Sequence, residues 1–308
     1  MHAPRRTVAR LASLVAAAAA LLSCGGGGGG GGGGGSYQIQ LEFETPVTDS
    51  QRAAFTGAAA RIEQIVTTGL STVTFDTIRC SGPCTCGSEG GTQYPVPASV
   101  KDLLIFVEVK HIDGVGGILG SSGPCYTRSS NGLPVVGIMT FDQADLATLE
   151  TNGLLKNVVL HEMLHVLGFG TIWTDKSLLT GTSGGDPGFT GAGAIAAFHD
   201  LNGGTTATVP VEATGGSGTA LSHWRESVFK NELMTGWISG STQPLSATSV
   251  GSLSDLGYAV NLSRADAFNL ATASNLRALE KGSTGEPAAF VGNDTRTTPP
   301  IPIDDAAP

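Results

Sequence analysis

The stretch His161–Gly168, with the sequence HEMLHVLG, constrains the fold more than any other part of the chain. His161 and His165 stand at positions i and i+4, so on a helix both imidazoles lie on one face and can reach one metal ion. The surrounding residues, Leu154–Leu167, are strongly apolar, which predicts a buried helix. Polar side chains in such a helix need partners, and a metal ion supplies them. Gly168 can adopt a positive φ, end the helix and turn the chain sharply.

Two histidines leave the coordination of a metal incomplete, and the chain offers several residues that could complete it. The best candidate is His223, in the sequence SHWRE, and His199 is its rival. Glu212 or Glu226 would serve instead in a site that combines two histidines with a glutamate. The residues predict one zinc ion per chain, held by the two helical histidines and a third ligand, for which His223 is the best candidate.

Glu162 follows the first helical histidine directly, where its carboxylate can reach a water molecule bound to the metal. Zinc held by three neutral imidazoles keeps its positive charge and lowers the pKa of its bound water toward about 7. Glu162 can then take the proton as general base and pass it to the leaving amine. These residues predict an enzyme that hydrolyses amide bonds.

The two segments that carry these residues resemble the leishmanolysin-like branch of the metzincin zinc peptidases. They are HEMLHVLGFGTIW, residues 161–173, and SHWRESVFKNELMTG, residues 222–236. Most metzincins have the third histidine three residues after the glycine, where this chain has Thr171. Leishmanolysin-like enzymes insert a long segment before that histidine, as this chain does. The resemblance covers roughly residues 37–269.

The resemblance implies an α+β fold: a metzincin-like zincin domain with a twisted mixed sheet, an active-site helix over a cleft and a loop-rich C-terminal subdomain. It also implies that Met234, in ELMTG, is the methionine of the Met-turn beneath the metal. Substrate would lie extended along an edge strand near residues 115–120, adding a strand by main-chain hydrogen bonds.

Hydrophobic patterns support the same fold class. Thr48 and Gln51 have the spacing of a capping box, which predicts the start of a helix. The order of strand, helix, strands and helix fits an α+β domain. Five segments are predicted to be strands, namely residues 38–44, 73–78, 103–109, 115–119 and 135–141.

The N-terminus has the pattern of an export signal. Arginines precede an apolar run, residues 11–22, that is too short to span a bilayer but suits a signal peptide at residues 1–23. The run ends in LLSC at Cys24, which resembles a bacterial lipobox, although an ordinary signal with a coincidental cysteine is the alternative. Unbroken glycine follows, so residues 24–36 are predicted to be a lipid-anchored flexible linker. We expect a cell-envelope lipoprotein, or a secreted protein if Cys24 is not lipidated.

The rest of the chain divides into a predicted metallopeptidase domain, residues 37–269, and a tail, residues 270–308. The tail ends in TTPPIPIDDAAP and is predicted to be disordered.

Four cysteines remain beside Cys24. In an exported protein, Cys80, Cys84, Cys86 and Cys125 suggest two disulfides. Cys84 and Cys86 are too close to pair without strain, so we expect Cys125 to pair with one of them. A second zinc site in CSGPCTC is the alternative.

Composition limits the partners. The formal net charge is −9 and no basic cluster follows the signal, so we expect no nucleic-acid partner. We expect a monomer that meets the membrane through its N-terminal anchor. An inactive metal-bound surface binding module or adhesin on a peptidase scaffold is the alternative function. The intact Glu162 argues against it, because such a module would not need a general base.

Overall fold

The computed structural model describes residues 35–238, 242–270, 289–290 and 294–305. The predicted signal peptide, Cys24 and most of the glycine linker lie outside the described residues, as do residues 271–288 of the predicted tail. No helix in the described ranges is both long enough and apolar enough to cross a bilayer.

The described strands and helices are arranged around one large sheet. The strands are β1 (Ile39–Phe43), β2 (Val73–Thr74), β3 (Thr85–Gly87), β4 (Gln93–Pro95), β5 (Ser99–Val100), β6 (Leu103–Lys110), β7 (Gly120–Arg128), β8 (Pro134–Asp142), β9 (Leu179–Thr180), β10 (Gly188–Phe189), β11 (Val209–Pro210), β12 (Trp237–Ile238), β13 (Ala289–Phe290) and β14 (Ile301–Ile303). The helices are α1 (Asp49–Ile65), α2 (Gln143–Thr151), α3 (Leu155–Val166), α4 (Ala192–Asn202), α5 (Glu226–Phe229) and α6 (Ala247–Leu256), followed by a 3-10 turn at Leu262–Arg264.

The large sheet has five strands in the order β1-β6-β8-β7-β14. β1, β6 and β8 run parallel, β7 is antiparallel to β8, and β14 is parallel to β7. Alternate residues of β6 and β8 enter two different hydrophobic clusters, one of which contains residues of α1 and α3, whereas the other contains Cys86 and Cys125. Burial on both faces explains why these strands are apolar throughout. The expected mixed sheet is thus confirmed.

The first helix begins where the sequence predicts. The hydroxyl oxygen of Thr48 accepts a hydrogen bond from the backbone N–H of Gln51 at 3.2 Å, and the Gln51 side chain accepts one from the Thr48 N–H at 3.0 Å. This reciprocal pair satisfies two N–H groups that the helix itself cannot. α1 then buries Phe55, Ile62 and Ile65 and packs beside α3.

The edge strand predicted at residues 115–119 is wrong. These residues form a loop in which Val115 is 78% exposed, and the strand begins only at Gly120. The loop turns because one carboxylate oxygen of Asp142 accepts three successive backbone N–H groups, from residues 112–114. β7 itself has the sequence GSSGPCYTR, which lacks apolar alternation, so no pattern identified it.

The disorder predicted for the tail is also wrong where the chain is described. Residues 301–303 form β14, which pairs with residues 126–128 of β7, and Ile303 is buried. Asp294 and Thr295 are buried as well. The proline-rich tail contributes few apolar side chains, and its order comes from pairing with a strand far away in the sequence.

The two expected disulfides are present. Cys80 pairs with Cys84, and Cys86 pairs with Cys125. The second bond joins β3 to β7, and the two bonds together leave no free thiol for a zinc site in CSGPCTC.

We expect the Cys86–Cys125 bond to contribute more stability than the Cys80–Cys84 bond. The first closes a loop with a sequence separation of 39 and the second closes one of 4. The chain-entropy model then predicts that the double variant Cys86→Ala, Cys125→Ala loses about 4 kcal/mol of unfolding free energy. The double variant Cys80→Ala, Cys84→Ala should lose about 2 kcal/mol. Urea unfolding of both double variants measures this, and equal losses would contradict the loop-length explanation.

Candidate metal centre

Helix α3 carries His161, Glu162 and His165, all of them buried against the sheet. The helix ends at Val166, and Gly168 has the predicted positive φ, 107°. Gly170 also has a positive φ, and a Cβ there would lie 2.2 Å from the backbone oxygen of Ser222. The glycine therefore lets the turn after α3 approach the segment that carries His223.

The Nε2 atoms of His161, His165 and His223 converge at one point. The distances between them are 3.0, 3.0 and 3.1 Å, and all three rings are buried. Each Nδ1 faces a backbone carbonyl: Leu233 for His161 at 2.7 Å, Phe169 for His165 at 2.8 Å, and Thr219 for His223 at 3.0 Å. A carbonyl can only accept, so each Nδ1 donates, and a ring in its neutral form then has its Nε2 lone pair directed inward.

The loop that carries His223 and Met234 is fixed by backbone hydrogen bonds. The N–H of Trp224 donates to the carbonyl of Met234 at 2.9 Å, and Met234 is fully buried. The buried carboxylate of Glu232 supports this loop, because it accepts from the backbone N–H of Met234 at 2.5 Å and from the hydroxyl of Ser249 at 2.6 Å. Glu232 was not singled out from the sequence, since a glutamate in a loop is usually exposed.

Glu162 lies beside the histidines with one carboxylate oxygen held and the other unsatisfied. Oε2 accepts from the hydroxyl of Ser122 at 2.6 Å, whereas Oε1 has no hydrogen-bond partner among the described residues. Burial raises the pKa of Glu162 to about 8, and the negative charge of Asp294 adds to the rise. The serine thus orients a carboxyl group whose free oxygen is available to a bound molecule.

Asp294 is a fourth polar group at this point, and the sequence analysis missed it. Its Oδ2 lies 3.0 Å from Nε2 of His161, 3.0 Å from Nε2 of His223 and 3.8 Å from Nε2 of His165. Burial alone would raise the pKa of the Asp294 carboxyl, but the histidines around it, first His223, hold this pKa well below its usual range. No motif spacing links Asp294 to the histidines, so only the folded structure brings it here.

The donor set fits a zinc ion. Three inward lone pairs about 3 Å apart would repel one another unless a cation lies between them. Tetrahedral ligands at 2.0–2.1 Å from zinc are roughly 3.3–3.4 Å apart, close to the observed spacing. Oδ1 of Asp294 and Oε1 of Glu162 are buried and have no hydrogen-bond partner among the described residues. A metal ion with a bound ligand would give these two oxygens partners.

The rival third ligands lie elsewhere. His199 lies in the last turn of α4, and its Nε2 is 2.7 Å from the carbonyl of Thr206. Glu212 accepts hydrogen bonds from the backbone of Ala213 and Thr214, at 3.1 and 3.0 Å. In the described part of the chain, one group of histidine, cysteine and acidic residues could hold a metal. His199, Glu212 and Glu226 do not belong to it.

Comparison with known proteins gives a family match. The family model for leishmanolysin, peptidase M8, matches residues 91–284, well over half of the chain. A leishmanolysin homolog of Crithidia fasciculata is 32% identical over 150 residues, which are 46% of this chain and 22% of that protein. Leishmanolysin of Leishmania donovani is 27% identical over 219 residues, 65% of this chain and 36% of that protein. The chain thus spans between about a fifth and somewhat over a third of the length of these relatives.

Proposed function

The chain belongs to the leishmanolysin family of metallopeptidases, and from this we propose that it is a zinc-dependent endopeptidase acting on proteins or peptides. The observation that carries the proposal is the convergence of three histidine Nε2 atoms beside Glu162, whose Oε1 has no partner among the described residues. This set contains the metal ligands and the general base that such hydrolysis needs.

We propose His161, His165 and His223 as the ligands of one zinc ion, with Met234 as the floor of the site. When bound, zinc supplies a Lewis acid that acidifies water and polarises the scissile carbonyl. Glu162 accepts a proton at Oε1 and returns it to the leaving amine, while Ser122 holds Oε2 in place. The carbonyls that accept from the three Nδ1 atoms keep the rings in one tautomer and orientation.

We propose that substrate lies extended beside β7. The N–H and C=O of Ser122 point away from β8 and can pair with an added strand. β7 also borders a pocket of about 320 Å³, whose lining includes Ser121 and Ser122. A substrate side chain that projects to the face of the sheet away from α3 would enter this pocket, whose lining also includes Ile138.

We also propose that the protein is exported. The two disulfides support this, because such bonds persist in oxidising compartments. We propose a signal peptide at residues 1–23, a lipid on Cys24 and a flexible linker at residues 24–36. We also propose that the catalytic domain is residues 37–269 and that the protein is a monomer. Mass spectrometry of the purified N-terminus tests the lipid.

Metal removal tests the proposed function. We expect about one zinc per chain by metal analysis, and hydrolysis of fluorogenic peptides that ortho-phenanthroline abolishes and added zinc restores. The non-chelating meta isomer is the matched control and should change nothing. Rates are compared as fractions of the untreated rate, so a slow enzyme serves as well as a fast one. Full hydrolysis by a zinc-free sample would contradict the proposal.

A further inference from the structure

Residues 294–305 start at the candidate centre with Asp294 and run beside β7 as far as Ser130, and we call this segment the C-terminal strap. We propose that the strap holds the enzyme latent: Asp294 is a fourth, displaceable ligand of the metal, and the residues after it fill the substrate groove. This inference rests on the proposed peptidase function and concerns the regulation of the same site. The family match ends at residue 284, so the strap lies outside the part of the chain that the match covers.

The position of Asp294 carries the first step. Its Oδ2 lies within 3.0 Å of two of the three converging Nε2 atoms, and the residue is fully buried. Catalytic zinc sites keep one position open for water or substrate, whereas sites with four protein ligands are closed. With Asp294 in place, the fourth position is taken, and Glu162 has no water molecule to deprotonate.

The main chain of the strap carries the second step. The N–H of Ser122 donates to the carbonyl of Asp294 at 2.6 Å, and the N–H of Arg296 donates to the carbonyl of Ser122 at 2.8 Å. These are the groups of β7 that an extended substrate would use. A substrate and the strap therefore cannot occupy the groove together.

Side chains fasten the strap on both sides of the groove. On one side, the hydroxyl of Thr295 donates to the carbonyl of Gly218 at 2.9 Å, in the loop before His223. On the other, Glu89 accepts from the hydroxyl of Thr297 at 2.7 Å and from the N–H of Thr298 at 2.5 Å. Further along, Asp305 accepts from the N–H of Ser130 at 2.9 Å and from the hydroxyl of Ser129 at 3.2 Å.

The composition of these contacts makes the strap displaceable. After Arg296 its side-chain contacts are polar and lie at the surface, Ile301 is 53% exposed, and Ile303 is the strap residue that enters a hydrophobic cluster. Segments with few buried apolar contacts open at a lower free energy than the whole domain unfolds. The strap can thus leave while the sheet, α3 and the three histidines stay in place.

The test uses the full mature chain loaded with zinc and compares Asp294→Ala with the wild type. The readouts are zinc content, affinity for a peptide hydroxamate that needs the fourth position, and kcat/KM on a fluorogenic peptide. If the strap is seated in about nine of ten molecules, removing the carboxylate should raise hydroxamate affinity about tenfold, with kcat/KM rising in parallel. Zinc content should stay near one per chain, because the three histidines remain.

Two further variants separate the explanations. Asp200→Ala removes an exposed carboxylate on α4 and should change none of the readouts. Asp305→Ala loosens the far end of the strap without touching the metal ligands, so it should raise hydroxamate affinity by a smaller factor. It also keeps the proposal testable if Asp294→Ala fails to fold.

The outcomes are distinct. Loss of zinc from a folded Asp294→Ala variant would show that Asp294 is a permanent ligand and overturn the proposal. Unchanged hydroxamate affinity in both strap variants would overturn it as well. Tighter hydroxamate binding without any peptide hydrolysis would support the strap and count against the proposed peptidase function.

Discussion

Glu162→Gln should keep its zinc and lose turnover by about 100- to 10,000-fold, the usual contribution of a positioned acid–base group. The amide has nearly the same shape as the carboxylate and can keep a hydrogen bond with Ser122, so the site stays assembled. It cannot accept the proton that Oε1 would take. The loss should therefore appear in kcat, with metal content unchanged.

This prediction is best measured in the Asp294→Ala background, where the groove is open. Glu150→Gln, which alters a partly exposed carboxylate of α2 outside the cluster, is the matched control and should retain full activity. Ser122→Ala should cost less than Glu162→Gln, because it removes the group that orients the base and leaves the base itself. A Glu162→Gln variant with near wild-type kcat would exclude Glu162 as the base.

His223→Ala should lower zinc affinity by at least about 100-fold and abolish activity at ordinary zinc concentrations. Even the residues that orient a metal ligand contribute 10- to 100-fold, and this change removes a ligand. His161 and His165 alone leave the coordination open, and Asp294 is the one further member of this cluster among the described residues. Competition with a chromophoric chelator gives the affinity directly.

His199→Ala is the matched control for this loss. His199 pairs with the carbonyl of Thr206, outside the cluster, so its removal should leave zinc affinity and kcat/KM unchanged. The reverse result, zinc lost with His199 and kept without His223, would move the third ligand and invalidate the proposed site.

Local features of the fold were predictable from the sequence because they depend on neighbours in the chain. The capping box of Thr48 and Gln51, the buried helix around His161 and the turn at Gly168 all follow from spacings of a few residues. The family assignment came from two motifs and is confirmed by the match over residues 91–284. His223 lies far from the helix in sequence, so the resemblance was the reason to prefer it.

Features that depend on distant pairing were not predictable. β7 is polar and contains glycine and proline, yet it is buried because β8 pairs with one edge, β14 pairs with residues 126–128 of the other, and α3 packs on it. Asp294 stands in a segment whose composition indicates disorder, and its place beside the histidines follows from the pairing of Ser122 with residues 294 and 296. No short sequence pattern predicts this pairing, so none predicts that Asp294 lies at the site.

The residues of the candidate metal centre follow one another along the chain, and this order determines when each of them can join the site. A protein that is exported from its N-terminus delivers α3 first, His223 and Met234 next, and Asp294 after them. The three histidines can therefore meet beside Glu162 and take up the proposed zinc ion before the carboxylate of Asp294 arrives. A chain cut between residues 270 and 294 would keep the earlier groups and lose the later one. If the strap blocks the groove as proposed, this cleaved form would be the most active form of the protein.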